Sequence, residues 1–215
     1  RVPIAGRGLI GVQVFFVLSG FLITKLLSAE LAQTGRIKLL RFYGRRALRL
    51  YPTFLLLLAA FLAAAPLLWP NLPALQYAII AGVYLTDYAV ALFDVPLVLS
   101  YTWSLAVEEH FYLIWPLLLP LVMRAKSPAK LLFGAFVACT LWRIANVFLF
   151  GWSVTYFRFD TRLSGLVLGC LLATMRDAQR MSPALVMRDP YILDFLGLRD
   201  TWQEGDLEAA IIREM

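Results

Sequence analysis

The stretch "TWSLAVEEHFYLIWP", residues 102–116, places two adjacent carboxylates, Glu108 and Glu109, and the chain's only histidine, His110, inside an aromatic and aliphatic run. In a water-soluble protein these charges would need no reason. Here they do, because the rest of the chain reads as a bilayer protein. It is 61% hydrophobic and only 16% charged, against a globular norm of about 25% charged residues, and its mean hydropathy is +0.74. From Leu50 to Met123 there is no lysine or arginine, while about 20 mostly apolar residues suffice to cross a membrane. This composition excludes a soluble globular enzyme and implies an all-α fold, a polytopic transmembrane helix bundle.

Apolar runs long enough to span lie at 8–27, 50–69, 75–93, 103–123, 131–150 and 159–175. The segment joining the first two, "TGRIKLLRFYGRRALRLYP", carries Arg36, Lys38, Arg41, Arg45, Arg46 and Arg49, and short basic loops are retained on the cytoplasmic side. Arg124, Lys126 and Lys130 form a second basic loop, and Arg176 and Arg180 a third. Six full spans cannot put all three on one side. The conflict disappears if residues 75–93, interrupted by Asp87 and bracketed by Pro73 and Pro96, form a re-entrant or interfacial element. The expectation is five crossings plus this one element.

Ionisable groups inside a membrane mark a functional or wet interior. On a helix, Ser104, Glu108, Phe111 or Tyr112, and Trp115 share a face, and Glu109 points about 100° away. The two carboxylates therefore do not act on one atom, and one of them is expected to face a basic partner. Capping of a helix at the interface, anchored by Trp103, is the competing reading. His110 reads as an interfacial or hydrogen-bonded residue. Arg41, Arg45 and Arg49 recur at i, i+4 and i+8 with Arg46 beside them, either a topology signal that also attracts anionic lipid or a guanidinium stripe for phosphate oxygens such as those of coenzyme A. In "FDTRLSGLVLGCLLA", residues 159–173, Gly165 and Gly169 have the spacing of close helix packing. Asp160 and Arg162 stand at that helix's mouth, either solvated or lining a polar cavity. Cys139 and Cys170 have no CxxC or Cys/His spacing, so they read as plain buried thiols and no metal site is expected.

Four motifs, "GVQVFFVLSGFLIT" (11–24), "RFYGRRALRLYP" (41–52), "WSLAVEEHFYLIWP" (103–116) and "FDTRLSGLVLGCLLA", together resemble the bacterial acyltransferase-3 family of integral-membrane O-acyltransferases, in its order and approximate spacing. The resemblance implies a multi-pass protein of the bacterial inner membrane. It implies transfer of an acyl group, commonly acetyl, from an acyl-CoA donor to a hydroxyl of an envelope carbohydrate or lipid-linked glycan. It further implies that Glu108 and Arg162 are catalytic and that Arg41, Arg45, Arg46 and Arg49 hold the donor. The family's histidine, expected at the end of a helix preceding Arg1, is absent from this chain.

The charge balance changes near residue 181. Residues 1–181 carry 17 Lys/Arg against 7 Asp/Glu, and 182–215 carry 3 against 7, which divides a partial membrane acyltransferase domain (1–181) from an acidic soluble tail (182–215). The tail is similar to the opening of YhcG-like nucleases of the PD-(D/E)xK superfamily, with no nuclease site and no nucleic-acid partner assignable. With the chain beginning at Arg1 and its first methionine at Met123, an excerpt, truncated or hybrid reading frame is expected, inactive in transfer by itself. The other open reading is a non-catalytic membrane protein that binds or transports an anion.

Overall fold

The computed structural model describes residues 5–93 and 97–177. Two compact units divide the chain, Arg1–Met175 and Arg176–Met215, and the helical bundle lies in the first. The boundary expected at 181/182 and the acidic tail lie outside the described residues. Every regular element among the described residues is helical: α1 (Ala5–Thr34), α2 (Leu39–Leu68), α3 (Ala74–Gly82), α4 (Thr86–Phe93), α5 (Leu97–Ser100), α6 (Trp103–Met123), α7 (Pro128–Phe157) and α8 (Phe159–Asp177). In a bilayer this is the expected solution, since a helix satisfies its backbone N–H and C=O groups internally.

The helices α1, α2, α6 and α7 are long and apolar enough to cross a membrane. The basic segment 34–52 is not a loop, contrary to its reading from sequence. Only residues 35–38 turn, carrying Arg36 and Lys38, and Arg41, Arg45, Arg46 and Arg49 lie on the first three turns of α2. Gly35 ends α1 in the left-handed conformation (φ 70°), its N–H bonding Leu31 O at 2.9 Å, a C-terminal arrangement that suits glycine. The Leu- and Arg-rich sequence after it favours helix. At about 1.5 Å per residue the 30 residues of α2 exceed a hydrocarbon core of about 30 Å, so its arginine-bearing end reaches beyond the apolar layer.

Residues 75–93 break into α3, nine residues long, and α4, eight residues long, and neither piece can span. Tyr84 lies between them at φ 58°, an unusual conformation for a bulky residue, held by stacking of its ring on Phe54 (5.3 Å, 13°). The contacts of the flanking helices show where this element returns. Tyr43 of α2 reaches Leu113 O at 2.9 Å, Arg46 reaches Glu109, and Phe54 and Leu58 share a cluster with Ala106. As numbers rise along α2 they fall along α6, so the two run antiparallel. The end of α2 and the start of α6 therefore lie on one side, and α3 to α5 leave and return there.

Helices α1 and α6 are parallel: Phe16 meets Trp103, Ser19 meets Tyr112, and Thr24 meets Trp115. Helix α8 is parallel to α1 as well. Gly165 faces Gln13 and Phe16, and Gly169 faces Val17, Gly20 and Phe21. These glycines bring the two backbones together, and Cys170 directs its thiol at Gly20 O, 3.7 Å away. The small-residue spacing is thus a helix seam, and the thiol of Cys170 is buried in it; Cys139 is half-buried, and both cysteines are free. Running parallel to the spanning α1, α8 stands where the fifth crossing is expected from sequence, although its 19 residues are less apolar than the four helices above. Its polar residues face protein: Thr161, Arg162 and Ser164 are all buried. The alternating helices place the 35–38 turn, the 124–127 turn and the C-terminal end of α8 at one end of the bundle, the end that carries Arg36, Lys38, Arg124 and Lys126.

Candidate active site

Helix α1 supplies Ser19 and Thr24 from its "LSGFLIT" segment, both buried. Helix α6 supplies Glu108, Tyr112 and Trp115, whose spacing of four and three residues aligns them on the face turned toward α1. The Ser19 hydroxyl contacts the Tyr112 hydroxyl, which donates to Glu108 Oε1 at 3.3 Å. One turn along, Trp115 Nε1 donates to Thr24 Oγ1 at 2.8 Å, and Thr24 in turn donates to Gly20 O at 2.7 Å. Glu108 is only 4% exposed. A carboxylate so placed is costly unless it is hydrogen-bonded, and the hydroxyls of Tyr112 and Ser19 are what it has.

Helix α2 sorts its arginines by face. Arg41, Arg45 and Arg49 are exposed, while Arg46 enters the bundle. Its guanidinium lies 3.2 Å from the centroid of the Tyr112 ring and pairs with Glu109 Oε1 at 3.6 Å. Glu109 is therefore the carboxylate that meets a basic partner, and Glu108 is the one held among hydroxyls. Arg46 touches both halves: it stacks on the phenol that holds Glu108 and pairs with the neighbouring carboxylate.

Arg162 does not join this cluster. It is 1% exposed and sits nearer the opposite end of the bundle. There Nε donates to Tyr156 O, and its guanidinium faces the Tyr156 ring at 3.9 Å and the Trp103 ring at 5.6 Å. Asp160 is occupied by Arg158, at 2.6 and 3.0 Å, and by Trp142 Nε1 at 2.9 Å. The sequence reading set Asp160 and Arg162 together; the 100° step per residue points them into different surroundings.

Two contacts had no sequence signal. Asp87, fully buried on α4, accepts the backbone N–H of Phe159 at 3.2 Å, so it caps the first turn of α8 from 72 residues away. His110 Nδ1 lies 3.6 Å from the same Asp87 oxygen, with Phe159 edge-on to the imidazole at 5.3 Å. The isolated acid in the re-entrant segment was legible, but not the helix terminus it serves. Among the described residues no group of His, Cys, Asp and Glu could hold a metal ion.

Comparison with known proteins agrees with these four motifs. The family model described as "Acyltransferase domain" matches residues 3–188. The chain is 33% identical over 204 residues to the O-acetyltransferase OatA of Staphylococcus aureus (strain NCTC 8325 / PS 47), covering 89% of this chain and 34% of that protein. It is 32% identical over 209 residues to the peptidoglycan O-acetyltransferase OatA of Listeria monocytogenes, covering 90% of this chain and 33% of that protein. It thus spans about a third of the length of these curated relatives. No solved structure matches it. The motifs, the helical bundle that unites them and the match over most of the length make this multi-pass membrane chain a member of the acyltransferase-3 family.

Proposed function

We propose that the chain carries the membrane-embedded centre of an O-acyltransferase, which moves an acetyl group from a coenzyme A thioester to a hydroxyl of an envelope carbohydrate. The names of the relatives support acetyl as the acyl group, and that of the Listeria relative supports peptidoglycan as the acceptor class. The membrane is the bacterial inner membrane, with the basic end of the bundle in the cytoplasm.

The observation that carries this reading is the junction of α1, α2 and α6, where Arg46 stacks on Tyr112 while Tyr112 holds buried Glu108. Donor phosphates suit the exposed guanidiniums of Arg41, Arg45 and Arg49 on the outer face of α2, since guanidinium forks bind phosphate oxygens in pairs. Arg46, one residue on, leads from that face into the bundle, toward the phenol and carboxylate. In the transfer the acceptor hydroxyl oxygen attacks the thioester carbonyl, the carbon–sulfur bond breaks, and coenzyme A leaves as the thiol with the hydroxyl's proton. Glu108 fixes the Tyr112 phenol, and Arg46 supplies positive charge beside it for the oxyanion that develops. The test is base-released acetate from the envelope glycan of cells producing the full-length protein or its Glu108→Gln variant. Acetate present with the native protein and lost with the variant supports the reading; acetate no different from that of cells lacking the protein overturns it.

A further inference from the structure

Arg162 and Arg143 share one neutral partner and meet no carboxylate among the described residues. With the Gln13 amide turned so that its oxygen faces them, that oxygen accepts from Arg143 Nη1 at 3.1 Å and from Arg162 Nη1. Two guanidiniums on one oxygen are close neighbours of like charge. Asp160, two residues from Arg162, is held by Arg158 instead, and Glu109 is paired with Arg46. Arg162 Nη2 is buried and donates to nothing. Aromatic faces surround the pair, Tyr156 and Trp103 at Arg162 and Trp152 at 6.0 Å from Arg143. These contacts soften the cost of burying a cation, but they leave two positive charges and an unused donor inside an apolar bundle.

We propose that Gln13, Arg143 and Arg162 form an oxyanion-binding site, built for a carboxylate or phosphate group entering at the end of the bundle away from the basic turns. A buried charge left without its partner is strongly destabilising, and an arriving oxyanion supplies that partner. The arriving oxyanion accepts from Arg162 Nη2 and from Arg143, which is only half-buried. Gln13 spaces the two forks and, being neutral, does not compete for them. If the chain is the acyltransferase centre argued above, this site lies on the acceptor side, and it selects an acceptor that carries a negative charge near its hydroxyl. The anion site stands without that reading, because its geometry involves none of Ser19, Arg46, Glu108 or Tyr112.

The test uses the chain in nanodiscs of zwitterionic lipid, titrated with glucuronate as the sugar carboxylate and with inorganic phosphate, and read by tryptophan fluorescence, since Trp103 and Trp152 adjoin the guanidiniums. A saturable change with either probe, weakened at least about tenfold by Arg143→Gln and partly restored by Arg143→Lys, is expected. The same titration in nanodiscs containing an anionic phospholipid separates sources: an affinity for added anion lowered by that lipid assigns the site to a lipid phosphate, and an unchanged affinity to a soluble group. Arg162→Gln should act in the same direction. If it fails to fold, Arg143→Gln decides alone. No saturable change with any probe, or a change untouched by Arg143→Gln, overturns the site. Binding without transfer in cells would refute the functional reading alone, and transfer without binding would refute the anion site alone.

Discussion

Substituting Gly169 by alanine should separate the helix seam on which the bundle closes. A Cβ built at Gly169 falls 2.6 Å from Phe21 N and 3.0 Å from Gly20 C, and closer still to Val17 O, whereas ordinary contact begins near 3.4 Å. All three are backbone atoms, so no side-chain rotation relieves the clash. Helices α1 and α8 must part by about 0.8 Å or more, and a gap of 0.5–1 Å forfeits a quarter to a half of each dispersion contact across it. The seam includes buried Phe16, Leu166 and Cys170, so the expected loss is about 1–3 kcal/mol, the usual cost of overpacking. The control is Gly134→Ala on α7, where the added Cβ meets nothing within 4 Å and the gain in helix propensity is up to about 1 kcal/mol. Unfolding of both variants in mixed micelles by SDS titration, followed by tryptophan fluorescence, measures the difference. Equal midpoints for Gly169→Ala and Gly134→Ala would refute the seam.

Other perturbations probe separate parts of the molecule. Asp87→Ala should destabilise the protein by about 0.5–2 kcal/mol in the same titration, because the N–H of Phe159 loses its cap, and Asp87→Asn should cost less since the amide oxygen can still accept. With Cys139 and Cys170 replaced, Ser127→Cys should react with a membrane-impermeant maleimide only when the cytoplasmic side is opened; labelling from outside would contradict the five-crossing arrangement. Arg45→Ala should raise the apparent KM for acetyl-CoA with kcat kept. Arg46→Lys should lower kcat, because an ammonium cannot both stack flat on Tyr112 and reach Glu109.

The period of a helix is written in its own sequence, and the parts of this fold that depend on it were legible. The shared face of Glu108, Tyr112 and Trp115, the glycine spacing of α8 and the arginine stripe of α2 all follow from 3.6 residues per turn. The break in residues 75–93 was legible from Pro73, Asp87 and Pro96, and so were the four apolar helices long enough to span. What a face meets is decided by packing between segments far apart in sequence. Nothing near Asp87 indicates that it caps Phe159, and nothing near Gln13 indicates that it bridges Arg143 and Arg162. Arg143 lies alone in an apolar run and gave no pattern at all. The extent of α2 was misread because a basic stretch between two apolar ones looks like a loop, although leucine and arginine are good helix formers.

The hydroxyl-held carboxylate, rather than its arginine-paired neighbour, belongs to the transfer machinery in the function proposed here. That central claim is tested most directly by following thiol release from acetyl-CoA in membranes containing the full-length protein, its Glu108→Gln variant or its Glu109→Gln variant. Positioned polar groups of this kind contribute about 10²- to 10⁴-fold to a rate. Glu108→Gln is therefore predicted to lower turnover by at least about a hundredfold. Glu109→Gln, which leaves an amide oxygen for Arg46, should lower it less than about tenfold. Equal losses for the two variants, or a greater loss for Glu109→Gln, would contradict the claim.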